Sequence, residues 1–384
     1  MSEFFAHIFN TLTHGLVGYA IPFLFVLSIV VFFHELGHYL VARIFRIPAE
    51  VFSIGFGHEI VGWTDKQGTR WKVGWLPLGG YVRFVGDSGP AGNPEDLEKI
   101  PPELRDRAFQ SQSVWKRFLV VLAGPVANFV LAIAIFAAFF AILGAPRTNI
   151  VGAIEPNTAA AAAGLRPGDK ILEIANRPTP TFDDVRSVVM LRPDETVPIK
   201  VERAGRLQEI QVTLKTEVTT DPFGQKFKRG LLGVYPTTGV LERVPVTRAI
   251  PEAFRYTFLI TRSMIDGLGQ VISGQRGTED VGGPIKIAQI AGQQASLGAL
   301  PFVQLLALFS INLGFINLLP VPMLDGGHLF FYAVEAVRRR PLSARALDWA
   351  FRGGLAVILA LVVFTTINDL GSLGLWDRLQ RLIG

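Results

Sequence analysis

The chain has 384 residues, of which 49% are hydrophobic and only 18% are charged, and it contains no cysteine. This composition is too apolar for an ordinary soluble enzyme, and it excludes disulfides, thiolate metal sites and cysteine nucleophiles. The net charge of +5 does not indicate nucleic-acid binding, because the basic residues are scattered or flank apolar segments. We therefore expect a membrane protein with no nucleic-acid partner, in which any metal ligand is His, Asp or Glu.

Four apolar stretches predict membrane-spanning helices at residues 18–42, 118–143, 301–319 and 349–367. The first stretch is expected to be retained as a span rather than cleaved, because no basic residue precedes it. Basic residues lie after the first stretch, before the second, and between the third and fourth: Arg43, Arg46, Lys116, Arg117, Arg338, Arg339 and Arg340. By the positive-inside rule these loops face the cytoplasm, and residues 147–300 face the opposite side.

The first segment, residues 1–44, carries the motif HELGH inside its apolar stretch. His34 and His38 are four residues apart and share one helix face, which is the spacing with which two imidazoles hold one zinc ion. Glu35, placed beside the metal, can take a proton from an attacking water and return it to the leaving amine. A charged residue at the centre of a spanning helix costs about 2.5–3.5 kcal/mol, so this motif indicates function rather than a helix contact.

The next two segments predict a sheet and a second span. In residues 45–113, positions 68–85 alternate in character between glycine turns, which predicts a small β-sheet at the cytoplasmic side of the membrane, followed by a loop. Residues 114–146 contain the second span, in which Asn128 lies about 16 Å from the cytoplasmic end and His34 in the first span about 14 Å. Asn128 can donate to a developing oxyanion or bond a neighbouring helix, and both roles stay open.

Residues 147–245 alternate short β-branched runs with turns, and the run AGLRPGDKILEIANRP at 163–178 resembles a PDZ domain. Such a domain binds extended peptide termini by strand addition, whereas the alternative is a β-rich module that only spaces the helices. Residues 246–300 have apolar residues at helical spacing. The charges of Arg255, Arg262 and Asp266 favour an interfacial or domain-packing helix over a span.

The C-terminal segment, residues 301–384, contains the last two spans and the motif NLLPVPMLDGGH at 317–328. A catalytic zinc site takes three protein ligands and keeps a fourth position open, so a ligand must join the two histidines. Asp325 is the candidate, with a helix N-cap as its alternative role. His328 is a weaker candidate ligand, because a histidine here can simply pack or cap.

Taken in order, HELGH, GPxAN, a PDZ-like insertion and NxxPxPxLDGGH resemble the site-2 protease family, most closely its bacterial regulator of sigma-E proteases. The runs PLGGYV at 77–82 and GGPIKIA at 282–288 extend this resemblance over nearly the whole chain. It implies an α-helical membrane protein of about four transmembrane helices, with a cytoplasmic-side membrane-associated β-sheet and an inserted periplasmic PDZ domain. Close relatives carry two tandem PDZ domains, whereas this chain has one clear copy.

The resemblance also implies the site. One zinc ion per chain is held by His34, His38 and Asp325, with Glu35 as catalytic acid and base and Asn128 beside it. The implied substrate-binding residues are Asn312, Asn317, Pro320, Pro322, Gly79, Gly80 and Tyr81. The implied protein is a multi-pass stress-response protease of the bacterial inner membrane, whose active site opens toward the cytoplasm. It would cut single-span membrane proteins such as an anti-sigma factor or remnant signal peptides, in contact with membrane lipid.

Two other functions compete with this one. A catalytically inactive PDZ-containing membrane scaffold would not need His34, Glu35, His38 and Asp325, all of which are intact. A metal transporter would use intramembrane His and Asp residues along its path, but it would explain neither Glu35 nor the PDZ-like segment. The sequence therefore favours a protease.

Overall fold

The computed structural model describes residues 16–86, 100–144, 149–220, 226–237, 245–273 and 282–372. The chain forms two compact units. The first unit combines Met1–Ile135 with Gly282–Asp369, and the second combines Phe136–Val281 with Leu370–Gly384. The predicted loop after the β-sheet lies partly outside the described residues, at positions 87–99.

Four helices in the described ranges are long and apolar enough to cross a membrane: Gly18–Ile44, Val114–Leu143, Ala299–Leu318 and Arg345–Leu370. They coincide with the four predicted stretches, with ends that differ by a few residues. Arg352 lies near one end of the fourth helix, where its long side chain can extend to the membrane interface. The structure is therefore consistent with a multi-pass membrane protein.

The first unit begins with a π-helical turn, Leu16–Ala20, and helix α1, Ile21–Ile44. A proline at the start of α1 suits the first helical turn, where a backbone N–H has no intrahelical partner. One apolar cluster joins Val26 and Val30 of α1 to Leu306. A second cluster packs Tyr39 and Ala42 on the strands that follow. The histidine motif lies between these two clusters.

Strands β1, Ala49–Thr64, and β2, Arg70–Phe84, form one long antiparallel hairpin. The hairpin folds back on itself, because residues 51–54 pair with residues 80–83 on one side and with residues 70–73 on the other. Residues 80–84 pair only with β1 in the described part of the chain, so they form an edge of this sheet. The sheet is larger than the sequence indicated, since it begins at residue 49 rather than 68.

Helix α2, Pro102–Arg105, and a 3₁₀ turn, Phe109–Ser111, lead into helix α3, Val114–Leu143. Pro125 lies inside α3 and removes one backbone hydrogen bond of the helix. A glycine of α1 allows close packing against this part of α3. A Cβ on Gly37 of α1 would meet the Ala123 carbonyl oxygen at 2.3 Å, so α1 and α3 approach closely here.

The second unit contains an inserted domain, defined here as residues 149–237. Its elements are β3 Val151–Ile154, α4 Ala159–Ala162, β4 Lys170–Ile174, β5 Arg177–Pro178, α5 Phe182–Met190, β6 Thr196–Arg203, β7 Arg206–Thr213, β8 Lys215–Thr220, β9 Lys226–Leu231 and β10 Val234–Pro236. Four strands form a sheet in the order β5-β4-β6-β7, while β10 pairs with β3 and β8 with β9. The run at 163–178 that resembles a PDZ domain contains β4 and β5, and the short helix α4 directly precedes it.

Helix α6, Val246–Ile272, follows the inserted domain in the same unit. Arg255 of α6 bonds Asp184 of α5 at 3.2 Å, and Gln270 of α6 donates to the Leu191 carbonyl. This helix is not among the four that could span a membrane. These contacts pack α6 against α5 and the residue that follows it, while the amphipathic segment at 246–300 stays a prediction.

The first unit is completed by α7 Pro284–Ser296, α8 Ala299–Leu318, α9 Asp325–Arg338 and α10 Ala344–Ser372. Asp369 of α10 accepts hydrogen bonds from the backbone N–H groups of Gly283, Ile285 and Lys286. A carboxylate is well placed there, because a helix N-terminus has free N–H groups and a positive dipole end. The segment GGPIKIA is therefore a helix start tied to α10.

Candidate metal centre

Three side chains from distant parts of the first unit converge at one point. His34 and His38 project from α1, and Asp325 stands at the start of α9. Their ligand atoms lie close together: Nε2 of His34 is 3.2 Å from Nε2 of His38, and Oδ2 of Asp325 is 3.1 Å and 3.5 Å from these two nitrogens. This is the group of potential metal ligands that the described residues contain.

The donor set fits zinc. Ligand atoms at 2.0–2.1 Å from a tetrahedral ion are separated by about 3.3–3.4 Å, and the three observed separations bracket that value. Oδ2 of Asp325 is buried and makes no hydrogen bond of acceptable geometry with any described residue. An unpartnered buried carboxylate oxygen is costly, and a cation would satisfy it. Two imidazoles and one carboxylate also leave a fourth position open.

His38 is held by helix α3. Its Nδ1 lies 2.8 Å from the Val120 carbonyl oxygen, which can only accept a hydrogen bond. Nδ1 therefore carries the proton, and Nε2 presents a lone pair toward Asp325. The rings of His34 and His38 pack against α3 at Gly124, which has no side chain. A Cβ at this position would meet Nε2 of His38 at 2.3 Å. Sequence reasoning assigned no role to Gly124, although its place in GPVAN was the available signal.

Asn128 lies one turn further along α3 and is fully buried. Its Nδ2 is 3.1 Å from Nδ1 of His34, on the ring edge opposite the ligand nitrogen. Its backbone carbonyl accepts a hydrogen bond from Ser310 of α8 at 2.8 Å. The structure thus brings Asn128 to the site, in direct contact with one candidate ligand.

Glu35 is half-buried and faces the sheet edge. Its carboxylate accepts a hydrogen bond from the backbone N–H of Val82. A Cβ on Gly80 would lie 3.3 Å from Cγ of Glu35 and 2.9 Å from a methyl of Val31, so the edge runs directly against α1. The predicted residues Gly79, Gly80 and Tyr81 therefore lie in the strand segment next to Glu35.

The start of α9 shows whether Asp325 caps this helix, which was the alternative to its role as a metal ligand. Leu324 is the N-cap residue, and no side chain caps this helix. The N-cap alternative for Asp325 is therefore wrong, and the carboxylate is free to face the histidines. His328 does not join the group, because its ring packs against Phe351, with the ring centroids 5.1 Å apart, and against Tyr332.

The remaining predicted substrate-binding residues lie where α8 leads to Asp325. Asn312 and Asn317 are half-buried on α8, while Pro320 and Pro322 belong to the connection between α8 and α9. This connection bends sharply, with Met323 at a positive φ of 83°. The prolines stop α8 and let the chain turn so that Asp325 reaches α1.

An ion pair that the sequence did not reveal links α9 to α3. Arg117 donates to Glu335 at 2.8 Å, and its guanidinium lies 4.9 Å from the centre of the Tyr332 ring. Both partners are mostly shielded from solvent. Because Glu335 and Asp325 are on one helix, this pair helps to set the position of α9.

Comparison with known proteins decides the family. The model of peptidase family M50 matches residues 22–361. The chain belongs to peptidase family M50. A protein of Agrobacterium fabrum with a provisional zinc-metalloprotease name is 43% identical over 368 residues, covering 94% of this chain and 98% of that protein. A similarly named protein of Rhizobium meliloti is 44% identical over 363 residues, covering 92% and 97%.

Metalloprotease MmpA of Caulobacter vibrioides is 40% identical over 382 residues, covering 93% of this chain and 96% of that protein. The resemblance to the site-2 proteases is thereby confirmed. This M50 member is a zinc metalloendopeptidase, and zinc is the metal that its His, His and Asp group could hold.

Proposed function

We propose that this M50 peptidase cuts single-span membrane proteins within the bilayer. The observation that carries the proposal is the position of the His34, His38 and Asp325 cluster. Two of its members lie on a helix apolar enough to span a membrane, with more than two helical turns before them and about one and a half after. Ionisable side chains at such depth are expensive and mark a function.

In this proposal His34, His38 and Asp325 hold the zinc ion. A zinc ion held there would polarise the substrate carbonyl and lower the pKa of a water molecule, so that Glu35 could deprotonate it. Glu35 takes the proton from the attacking water and transfers it to the leaving amine. The sheet edge beside Glu35 positions this side chain, because Gly80 lies against its Cγ.

The substrate is expected to bind as an extended strand along the sheet edge. A peptide bond in a helix is shielded by its own hydrogen bonds, so a transmembrane substrate must unwind before cleavage. Residues 80–84 form an edge that can pair with the freed backbone, and this edge runs beside Glu35. Asn312, Asn317, Pro320 and Pro322 are proposed to contact the same segment.

We place the protein in the bacterial inner membrane, with its inserted domain in the periplasm and the metal site opening toward the cytoplasm. The basic residues around the spans support this orientation. The inserted domain is proposed to be a PDZ domain that binds peptide termini. An anti-sigma factor or a remnant signal peptide is the expected substrate, which would make the protease part of a stress response.

The test uses purified full-length protein in detergent, in the wild-type form and as Glu35→Gln. We expect one zinc ion per chain in both. Cleavage of a single-span model substrate should fall about 10²- to 10⁴-fold in the variant, because only the proton transfer is lost. Glu103→Gln, at an exposed position in the first turn of α2, serves as the matched control and should cut normally.

A scaffold without catalysis would bind the substrate and leave it intact in all three proteins. Equal cleavage by wild type and Glu35→Gln would remove Glu35 from the mechanism. Absence of zinc from the wild type would reject the proposed site.

A further inference from the structure

Asn128 has the burial and contacts of a group that orients a metal ligand. Its side-chain amide is fully buried, and its Oδ1 has no hydrogen-bond partner among the described residues. The Ser310 hydroxyl donates to its backbone carbonyl, so this contact with α8 does not involve the side-chain amide. A buried amide oxygen without a partner is costly, so it calls for a donor.

The nearest candidate donor is the ring of His34. A histidine that binds a metal through Nε2 must carry its proton on Nδ1, and a hydrogen bond to Nδ1 selects that form. His38 meets this requirement through the Val120 carbonyl. His34 presents its Nδ1 to the amide of Asn128 at 3.1 Å.

The two ends of an amide have nearly the same shape, so half a turn of the side chain exchanges oxygen and nitrogen without repacking. If Nδ2 of Asn128 faces His34, it donates to Nδ1 of the ring. The ring proton is then on Nε2 of His34, which cannot bind a metal, and Oδ1 of Asn128 has no partner. If Oδ1 of Asn128 faces His34 instead, it accepts a hydrogen bond from Nδ1–H of the ring. Nε2 of His34 then presents its lone pair beside His38 and Asp325. The second orientation gives Oδ1 of Asn128 a donor and leaves Nε2 of His34 able to bind a metal.

We infer that Asn128 is a positioning residue that holds His34 in the Nδ1-protonated form, so that Nε2 of His34 binds the metal. This role differs from that of an oxyanion donor. The amide contacts the ring edge that faces away from the ligand atoms, so the imidazole separates it from the reacting carbonyl. It also differs from a general helix contact, because the effect acts through one nitrogen of one ligand. The inference rests on the zinc site of the proposed function.

The test measures zinc affinity, without substrate, by competition with a chelator in full-length protein. Asn128→Ala should bind zinc about 10- to 100-fold more weakly, the usual effect of losing a partner of a metal-bound histidine. Asn128→Asp should recover most of that loss, because a carboxylate also accepts from Nδ1–H. Ser310→Ala is the matched control: it loosens the same contact of α3 and α8 but leaves the His34 contact, and should bind zinc as the wild type does.

Unchanged zinc affinity in Asn128→Ala would overturn the inference. If that variant also lost turnover, the oxyanion role would be supported instead. An Asn128→Asp variant that binds no better than Asn128→Ala would overturn it too, since a packing role predicts no rescue by the carboxylate. Thermal unfolding of each protein with excess chelator shows whether the metal-free fold is intact. A wild type that binds zinc but cuts no membrane substrate would reject the proposed function alone.

Discussion

Asp325 in the metal centre and Asp169 in the inserted domain are both shielded carboxylates, but the protein surrounds them differently. Asp169 accepts two hydrogen bonds from Arg203 and one from the Arg166 backbone N–H. Asp325 instead faces two imidazole nitrogens and leaves one buried oxygen without a hydrogen bond. The inserted domain balances its buried charge internally, whereas the metal centre leaves its charge for an ion.

A second buried carboxylate of the inserted domain shows the same contrast with the metal centre. Asp184 in the inserted domain forms a capping box with Thr181 and also pairs with Arg255. In the metal centre the unpartnered oxygen of Asn128 adds to that of Asp325. A site of this kind gives up folding stability when it is empty and regains it when a cation binds.

The largest expected effect comes from removing the carboxylate of the metal centre. Asp325→Ala should lower zinc occupancy and abolish cleavage, because two histidines alone form an incomplete site. Asp348→Ala, at an exposed acidic position of α10, is the control and should keep full zinc and activity. Metal analysis and the cleavage assay check both. Unchanged zinc in Asp325→Ala would contradict its assignment as a ligand.

A change of similar severity should follow from filling the space between α1 and α3. Gly124→Ala places a methyl group 2.3 Å from Nε2 of His38, so the helices or the ring must move, at a cost of about 1–3 kcal/mol. Zinc affinity should fall with it. Gly353→Ala is the matched control in α10, where a Cβ meets nothing within 4 Å, and it should be neutral or slightly stabilising. Equal zinc affinity of the two variants would show that the close approach is not required.

In the inserted domain, Asp169→Ala should destabilise the fold by about 1–3 kcal/mol, because the Arg203 guanidinium and the Arg166 backbone N–H lose their carboxylate acceptor. Limited proteolysis should show earlier cleavage within residues 149–237. Zinc content should stay at the wild-type level, since this carboxylate belongs to the other unit. Loss of zinc in this variant would show that the contrast between the two regions does not hold.

The smallest effect concerns the hairpin. Burial by itself raises the pKa of Asp65, but hydrogen bonds from Trp71, the Gln67 backbone N–H and Tyr39 outweigh it and lower the pKa to about 2. A lowered folded-state pKa means that Asp65 stabilises the hairpin fully above its ordinary value of 3.8 and loses that contribution as pH falls toward 2.

The protection of residues 49–84 against hydrogen exchange, taken relative to the intrinsic exchange rate at each pH, should therefore fall between pH 4 and pH 2.5 in the wild type. The Asp65→Asn variant should exchange faster at pH 6 and change less over the acid range, because it has no carboxylate to protonate. An identical pH response in both proteins would exclude Asp65 as the cause.

Much of this fold could be predicted from local pattern. The apolar stretches gave the four helices because length and composition suffice for that inference, and the spacing of His34 and His38 gave their common face. The motif order led to Asp325, but its contact with α1 depends on the turn after α8. His328, three residues further on, packs on aromatic rings instead, and the sequence ranked it only as the weaker candidate ligand.

Other features depend on contacts distant in sequence. The hairpin folds back so that residues 51–54 touch two segments, which alternation along one strand cannot predict. The role of Gly124 depends on its lack of a side chain. It can therefore be recognised only when the structure shows the histidine rings packed against it. The sequence could not choose between an oxyanion donor and a helix contact for Asn128, because the choice depends on its contact with Nδ1 of His34.

The most direct test of an intramembrane protease is the position of the cut. Wild-type protein reconstituted in lipid vesicles is incubated with a single-span substrate, and the products are identified by mass spectrometry. We predict a cut inside the apolar segment of the substrate, toward its cytoplasmic end, that disappears with Glu35→Gln. Cuts confined to the soluble flanks of the substrate would contradict the account.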